Sequence, residues 1–98
     1  MSGSDREYTS GGVPNWGLIP PHCRDGIRYY IEKGIQPGDF LFAVFSNDLM
    51  EAAGRADGVN QLSLHRYAQF LYNYAPPDCY GSHGKVIKWM EQGGLDGK

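Results

Sequence analysis

Histidines, cysteines and close-set charges come first, because nucleophilic catalysis, metal binding and phosphate capture each need particular residue types at particular spacings. His22 and Cys23 are adjacent, so on a helix they point about 100° apart and do not converge on one metal ion. Cys79 and His83 stand four residues apart, a spacing a metal accepts, but no second pair at ligand spacing completes a four-coordinate site. No metal site and no cofactor are expected. A small hydrolase would need His22, His65 or His83 to meet a nucleophile through the fold, and no nucleophile elbow or other local signature accompanies them. No catalytic residue is nominated, and a hydrolase stands as the second alternative.

Anion capture has more to work with. Gly81-Ser82-His83-Gly84-Lys85 resembles a phosphate loop only in part: that motif needs Gly where Cys79 stands and Ser or Thr where Val86 stands. What survives is a helix start with free amides, a Ser hydroxyl and Lys85, an arrangement that attracts anions through aligned dipoles. Arg24 and Arg28 lie one helical turn apart with Tyr29 beside them, a platform for a base or for carboxylates. Arg24, Arg28, Tyr29, Ser82 and Lys85 are thus the candidate ligand-binding set for a small anionic nucleotide, provided the fold brings them together. The plainer alternative is a capped helix and a solvated face.

The aromatic residues point elsewhere. Tyr67, Phe70, Tyr72 and Tyr74 crowd one predicted helix, and Trp16, Tyr80 and Trp89 lie near turns. So small a domain struggles to bury all of these. Tyrosine suits an interface because it combines a large rigid ring with one polar tip. Tyr67, Phe70, Tyr72, Tyr74 and Tyr80 are therefore the candidate protein-interface residues, with a thick aromatic core as the competing possibility.

The elements that must position these groups are helical. Pro20-Pro21 opens a helix to Lys33, with Cys23, Ile27, Tyr30 and Ile31 on one side and Gly34 suited to the left-handed residue that ends it. A second helix is expected from Asp39 through Ala56, with Leu41, Phe42, Phe45, Leu49, Ala52, Ala53 and Ala56 on one broad face and Asn47, Asp48, Glu51 and Arg55 opposite. Asp57 or Asn60 caps a third running to Tyr74, where Pro76-Pro77 stops it. Ser82 caps a short fourth that presents Val86, Ile87, Trp89 and Met90 and closes at Gly93-Gly94. The expected fold is all-α: a compact bundle of about four short helices over residues 15–94, a flexible, disordered N-terminal arm over 1–14 and a tail over 95–98.

Ninety-eight residues with 41% hydrophobic content support one small globular domain. Nine Lys and Arg against eleven Asp and Glu give a net charge of −2, far from the basic excess that an extended nucleic-acid groove requires. The apolar run from Phe40 to Phe45 has six residues, where a membrane span needs roughly 20. Residues 1–12 lack the basic start and apolar stretch of a secretory signal, and two cysteines suit reduced thiols. Cytoplasmic location is expected.

One resemblance adds to this. The run Pro21-x-Cys23-x-x-Gly26-Ile27-x-x-Tyr30-Ile31-x-x-Gly34-Ile35-x-Pro37-Gly38-x-Phe40-Leu41 is followed by Asn47-Asp48-Leu49, Arg55-Ala56-Asp57, Leu71-Tyr72-Asn73, Pro76, Gly81-Ser82 and Trp89. Over about residues 20 to 90 this order is similar to a family of small, uncharacterised bacteriophage and prophage proteins. The resemblance carries no activity, so no catalytic residue follows from it. It implies a stoichiometric accessory protein in the cytoplasm of a bacterial host, binding a host protein or a second copy of itself, with antagonism of host defence as one role. The alternative is a sponge that sequesters a small nucleotide signal.

Overall fold

The structure, a computed structural model, describes residues 6–97, with backbone alone at Leu49, Gln61 and Leu62. The described residues form an all-α fold without a strand: α1 (Pro21–Lys33), α2 (Asp39–Phe45), α3 (Leu49–Arg55), α4 (Gly58–Tyr74) and α5 (His83–Gln92), with single 3-10 turns at Trp16–Leu18, Pro77–Cys79 and Leu95–Gly97. No helix is long and apolar enough to cross a membrane among the described residues.

The end signals of α1 and α5 act as their chemistry dictates. Pro21 occupies the first position of α1, where its missing N–H leaves nothing unpaired. Gly34 and Gly93 end α1 and α5 in the left-handed conformation, at φ 70° and 84°. Asp57 caps α4 by accepting from the Asn60 amide at 2.8 Å, and Ser82 caps α5 by accepting from the Lys85 amide at 3.2 Å.

The stripe Cys23, Ile27, Tyr30 and Ile31 is buried as its spacing requires. Two side chains then bolt α1 to the C-terminal part of the chain. The Tyr30 hydroxyl donates to the Cys79 carbonyl at 2.6 Å. The Trp89 indole N–H donates to the Tyr30 and Ile31 carbonyls at 3.0 and 3.2 Å; the Tyr30 carbonyl also accepts from the Gly34 amide at 2.9 Å, and Ile31 lies in the last turn, where carbonyls lack ladder partners. Beside them the Tyr30 and Phe45 rings sit 4.3 Å apart.

The second predicted helix is two. The chain breaks at Ser46-Asn47-Asp48: Asn47 takes φ 60°, and the Asp48 carboxylate accepts from the Glu51 amide at 3.1 Å to start α3 afresh. Asparagine tolerates this left-handed conformation better than other residues with a Cβ. The Asp48 side chain supplies the bond to the backbone that competes with the helix ladder here. An acidic cap with Glu three residues on is itself a helix-start pattern.

The N-terminal arm also departs from expectation. Residues 1–5 lie outside the described residues, but from Arg6 the chain is laid onto the body. Tyr8 is buried and donates to the Glu32 carboxylate at 2.6 Å, and its ring meets Trp16 edge-on. Burying that ring with its hydroxyl satisfied offsets the ordering entropy that argued for a free arm. Burial, and then the Glu32 carboxylate, hold the Tyr8 phenol far above its ordinary pKa. Arg6 bridges Glu32 at 3.2 Å and Asp96 at 2.8 Å, and Lys33 reaches Asp96 at 3.2 Å.

Hydrogen bonds from Arg6 and then Lys33 keep the Asp96 carboxyl below its usual value. A carboxyl lowered in the fold stabilises above its unfolded pKa of about 4 and loses that contribution as pH falls through its folded value. Wild-type protein is therefore expected to melt above Asp96→Asn at pH 7, with the gap closing as pH falls from about 4 through the folded value. Thermal melts of both proteins across this range check it; a gap that persists in acid would show that the bridge is not its source.

Candidate functional site

The break at Ser46–Asp48 leaves a trough of about 580 Å³ between the α2–α3 pair and α4. Ala43, Val44 and Ala52 form one wall, Leu64, Ala68, Leu71 and Tyr72 the other, and Tyr80-Gly81 closes one end. The trough exists because alanines stand where larger side chains would meet. Ala43, Ala52 and Leu71 are buried in its floor, while Ala68 is exposed at its lip. The closed end is fixed by the Gly81 amide, which donates to the Phe45 carbonyl at 2.8 Å.

Its polar groups are few and peripheral. Asn47, Gln69 and Asn73 border it with Asp48, and the Asn73 amide donates to the Gln69 carbonyl at 2.9 Å. Asp48 Oδ2 lies 3.7 Å from His83 Nε2, and the His83 ring rests on Phe42 at 5.6 Å. Burial raises the Tyr80 phenol, which stays neutral. An apolar trough with a polar margin is the arrangement of a binding site; among the described residues its lining includes no histidine, cysteine or serine.

The five candidate interface residues divide. Tyr72 is 82% exposed on the trough wall, and Tyr80, half-buried, closes its end. Tyr67 and Phe70 are core residues, at 1% and 0% exposure, so their assignment to an interface is corrected. Phe40 covers Tyr67 with ring centroids 5.3 Å apart, and Trp16, carried in by the N-terminal segment, covers Phe70 at 4.8 Å. Tyr74, half-buried, packs edge-on against Phe70 at 5.6 Å. The wide apolar arc of α4 is thus largely consumed by the chain's own arm and by α2.

The cationic set is tied into two local networks. Arg24 donates to the Ile19 carbonyl at 2.9 Å. Arg28 pairs with Asp25 at 3.0 Å and lies over the Tyr29 ring at 5.3 Å. Ser82 is spent as the α5 cap, and Lys85 donates to the Pro77 carbonyl at 3.4 Å. The first three residues engage neighbours on or just before α1, Ser82 engages the first turn of α5, and Lys85 engages the turn before it.

A second, smaller cleft of about 390 Å³ brings His22, Cys23, Arg55, Asp57 and Asn60 together. The His22 imidazole faces Asp57 at 3.3 Å, whereas the Cys23 thiol faces Asn60, whose amide donates to it at 3.7 Å. Tyr67 completes that cluster by donating to Asn60 Oδ1 at 2.6 Å. Imidazole and thiol are therefore turned to different partners. His65 is exposed on α4. Both cysteines are free and buried, and burial pushes the Cys79 thiol well above its ordinary pKa. Among the described residues, no group of three or more His, Cys, Asp or Glu gathers as a metal site.

Sequence reasoning did not find the trough. The signals that bore on it were the turn-forming triplet at residues 46–48 and the alanines at 43, 52 and 68, which a helical wheel counts as ordinary apolar positions. No family model, no curated protein and no solved structure matches this chain.

Proposed function

We propose that this chain is a non-catalytic protein-binding module whose α2–α3/α4 trough receives an apolar segment of a protein partner. The observation that carries this is the trough itself: an apolar depression walled by alanines and flanked by Tyr72, whose ring lies almost wholly in solvent. Exposed tyrosine beside a pocket is the residue type that carries binding energy at interfaces. Were the chain phage-encoded, as its resemblance implies, the partner would be a host protein, and antagonism of a host defence factor in the bacterial cytoplasm would be one such role. The nucleotide-sponge alternative has less support, because its five residues are engaged in two separate local networks.

The test fills the trough without touching the core. Ala68 is exposed at the lip, so Ala68→Trp places an indole in the depression and leaves the fold intact. Nile red, a neutral apolar dye, is expected to bind wild type with a blue-shifted emission and to bind Ala68→Trp about tenfold more weakly or worse. Peptides selected from a random 12-residue display library on immobilised wild type are expected to lose affinity for the Trp variant. Selected peptides that bind both proteins equally would overturn the assignment of the trough as the binding site.

A further inference from the structure

We propose that the occupant of the trough is a short amphipathic α-helix of another protein, apolar along one face and carrying a lysine or arginine at the end that meets Asp48. This rests on the protein-binding role above and specifies its partner. Length comes first. The lining residues on α4 run from Leu64 to Asn73, nine steps that at about 1.5 Å each make a trough roughly 13.5 Å long. A helix laid along it contributes about three anchoring side chains, at i, i+3 or i+4, and i+7.

The walls select a helix over an extended strand. An extended peptide gains affinity by pairing its backbone with an exposed sheet edge, and both walls here are helices whose backbone groups are bonded along their own axes. Alanines at 43, 52 and 68 instead let a third helix approach closely and leave room for its larger side chains, as ridges enter grooves.

Charge sets the polarity. Among the described lining residues Asp48 is the one carboxylate, and its side chain is 39% exposed. Its Oδ1 is used in capping α3, and among the described residues its Oδ2 has the long contact to His83 alone. A cation on the occupant meets this carboxylate, and an acid would be repelled by it. Asp48 stands near the closed end, because Gly81 is bonded to Phe45 three residues earlier in the chain, so the occupant's basic end lies toward Tyr80-Gly81. A second copy is a poorer fit. Cys23, Ile27, Tyr30 and Ile31 of α1 and Val86 and Trp89 of α5 are spent in the core, and the exposed Ile35, Met50, Val59 and Ile87 stand singly on four different segments, so they form no apolar helix face to enter the trough.

The experiment sequences the display-selected peptides that depend on Ala68, then synthesises them. The expected peptides carry Leu, Ile, Phe or Met at i, i+4 and i+7 with Lys or Arg at one end, and gain helical circular dichroism on binding. Asp48→Asn, which keeps the cap and removes the charge, is expected to weaken them roughly two- to fivefold. That effect should vanish when the peptide's cation is replaced by Gln. Trough-dependent peptides that are acidic, proline-rich or non-helical when bound would overturn this inference while leaving the protein-binding role standing. Peptides indifferent to Ala68→Trp would overturn both. Concentration-dependent dimerisation that Ala68→Trp abolishes would assign the trough to a second copy and also overturn it.

Discussion

Gly94→Ala is expected to destabilise the protein by about 3 kcal/mol or more, although it adds a single methyl group. Gly94 sits at φ 72°, where a side chain is strained whatever its surroundings. Its surroundings are also full. A Cβ there would stand 2.5 Å from the Gly34 amide nitrogen and 2.6 Å from the Glu32 carbonyl carbon and the Lys33 nitrogen. These are backbone atoms at the end of α1, so no side-chain rotation relieves the overlap, and α1 and α5 would have to separate where Trp89 holds them. The control is Gly54→Ala in α3, which meets nothing within 4 Å and should gain about 0.5–1 kcal/mol from helix propensity. Urea unfolding midpoints of the three proteins measure both effects. A Gly94→Ala protein within about 1 kcal/mol of wild type would mean that the two helix ends are not in contact.

Trp89→Ala is expected to cost about 3–5 kcal/mol from the vacated volume, and to leave carbonyls of Tyr30 and Ile31 without their indole donor. A chain this small has a total stability of about 5–15 kcal/mol and lies toward the lower end, so much of the variant should be unfolded at 37 °C. Trp89→Phe separates the two contributions. It keeps most of the ring and deletes the N–H; the Tyr30 carbonyl still accepts from the Gly34 amide, so the loss falls on the Ile31 carbonyl and should cost about 1–3 kcal/mol. Circular dichroism melts of both variants test this. A Phe variant as damaging as the Ala variant would show that the hydrogen bonds outweigh the packing.

The parts of this fold that were legible in the sequence are those written in local chemistry. Proline at the start of α1, Gly34 and Gly93 at the ends of α1 and α5, and the Asp57 and Ser82 caps each act within a turn of their own position, and each is found where its residue type implies. Two features were not legible. The first was the break at residues 46–48: Asn47 and Asp48 fit the polar face of one long helix as well as they fit a turn, and only the packing of Phe45 against Tyr30 on one side, with Ala52 buried on the other, favours two short helices.

The second was the fate of the aromatic residues. Counting rings suggested that the core would overflow, but the N-terminal segment supplies a lid, with Trp16 closing over Phe70 and Tyr8 packed edge-on against Trp16. That lid depends on Glu32 accepting from Tyr8 across 24 positions of sequence, a pairing that no local pattern announces. The trough followed the same rule. Its alanines come from α2, α3 and α4, and it becomes visible only when those helices are side by side.

The alanine-walled trough also bears on how this protein can diversify. Ala43 and Ala52 are pinned in the floor at 2% exposure each, so enlarging either disturbs the packing beneath. Ala68 and Tyr72 face open solvent at the lip, where replacements reshape the depression at almost no structural expense. On the binding role proposed above, descendants of this chain would exchange targets by drifting at two positions of one helix turn while the scaffold beneath stays unchanged.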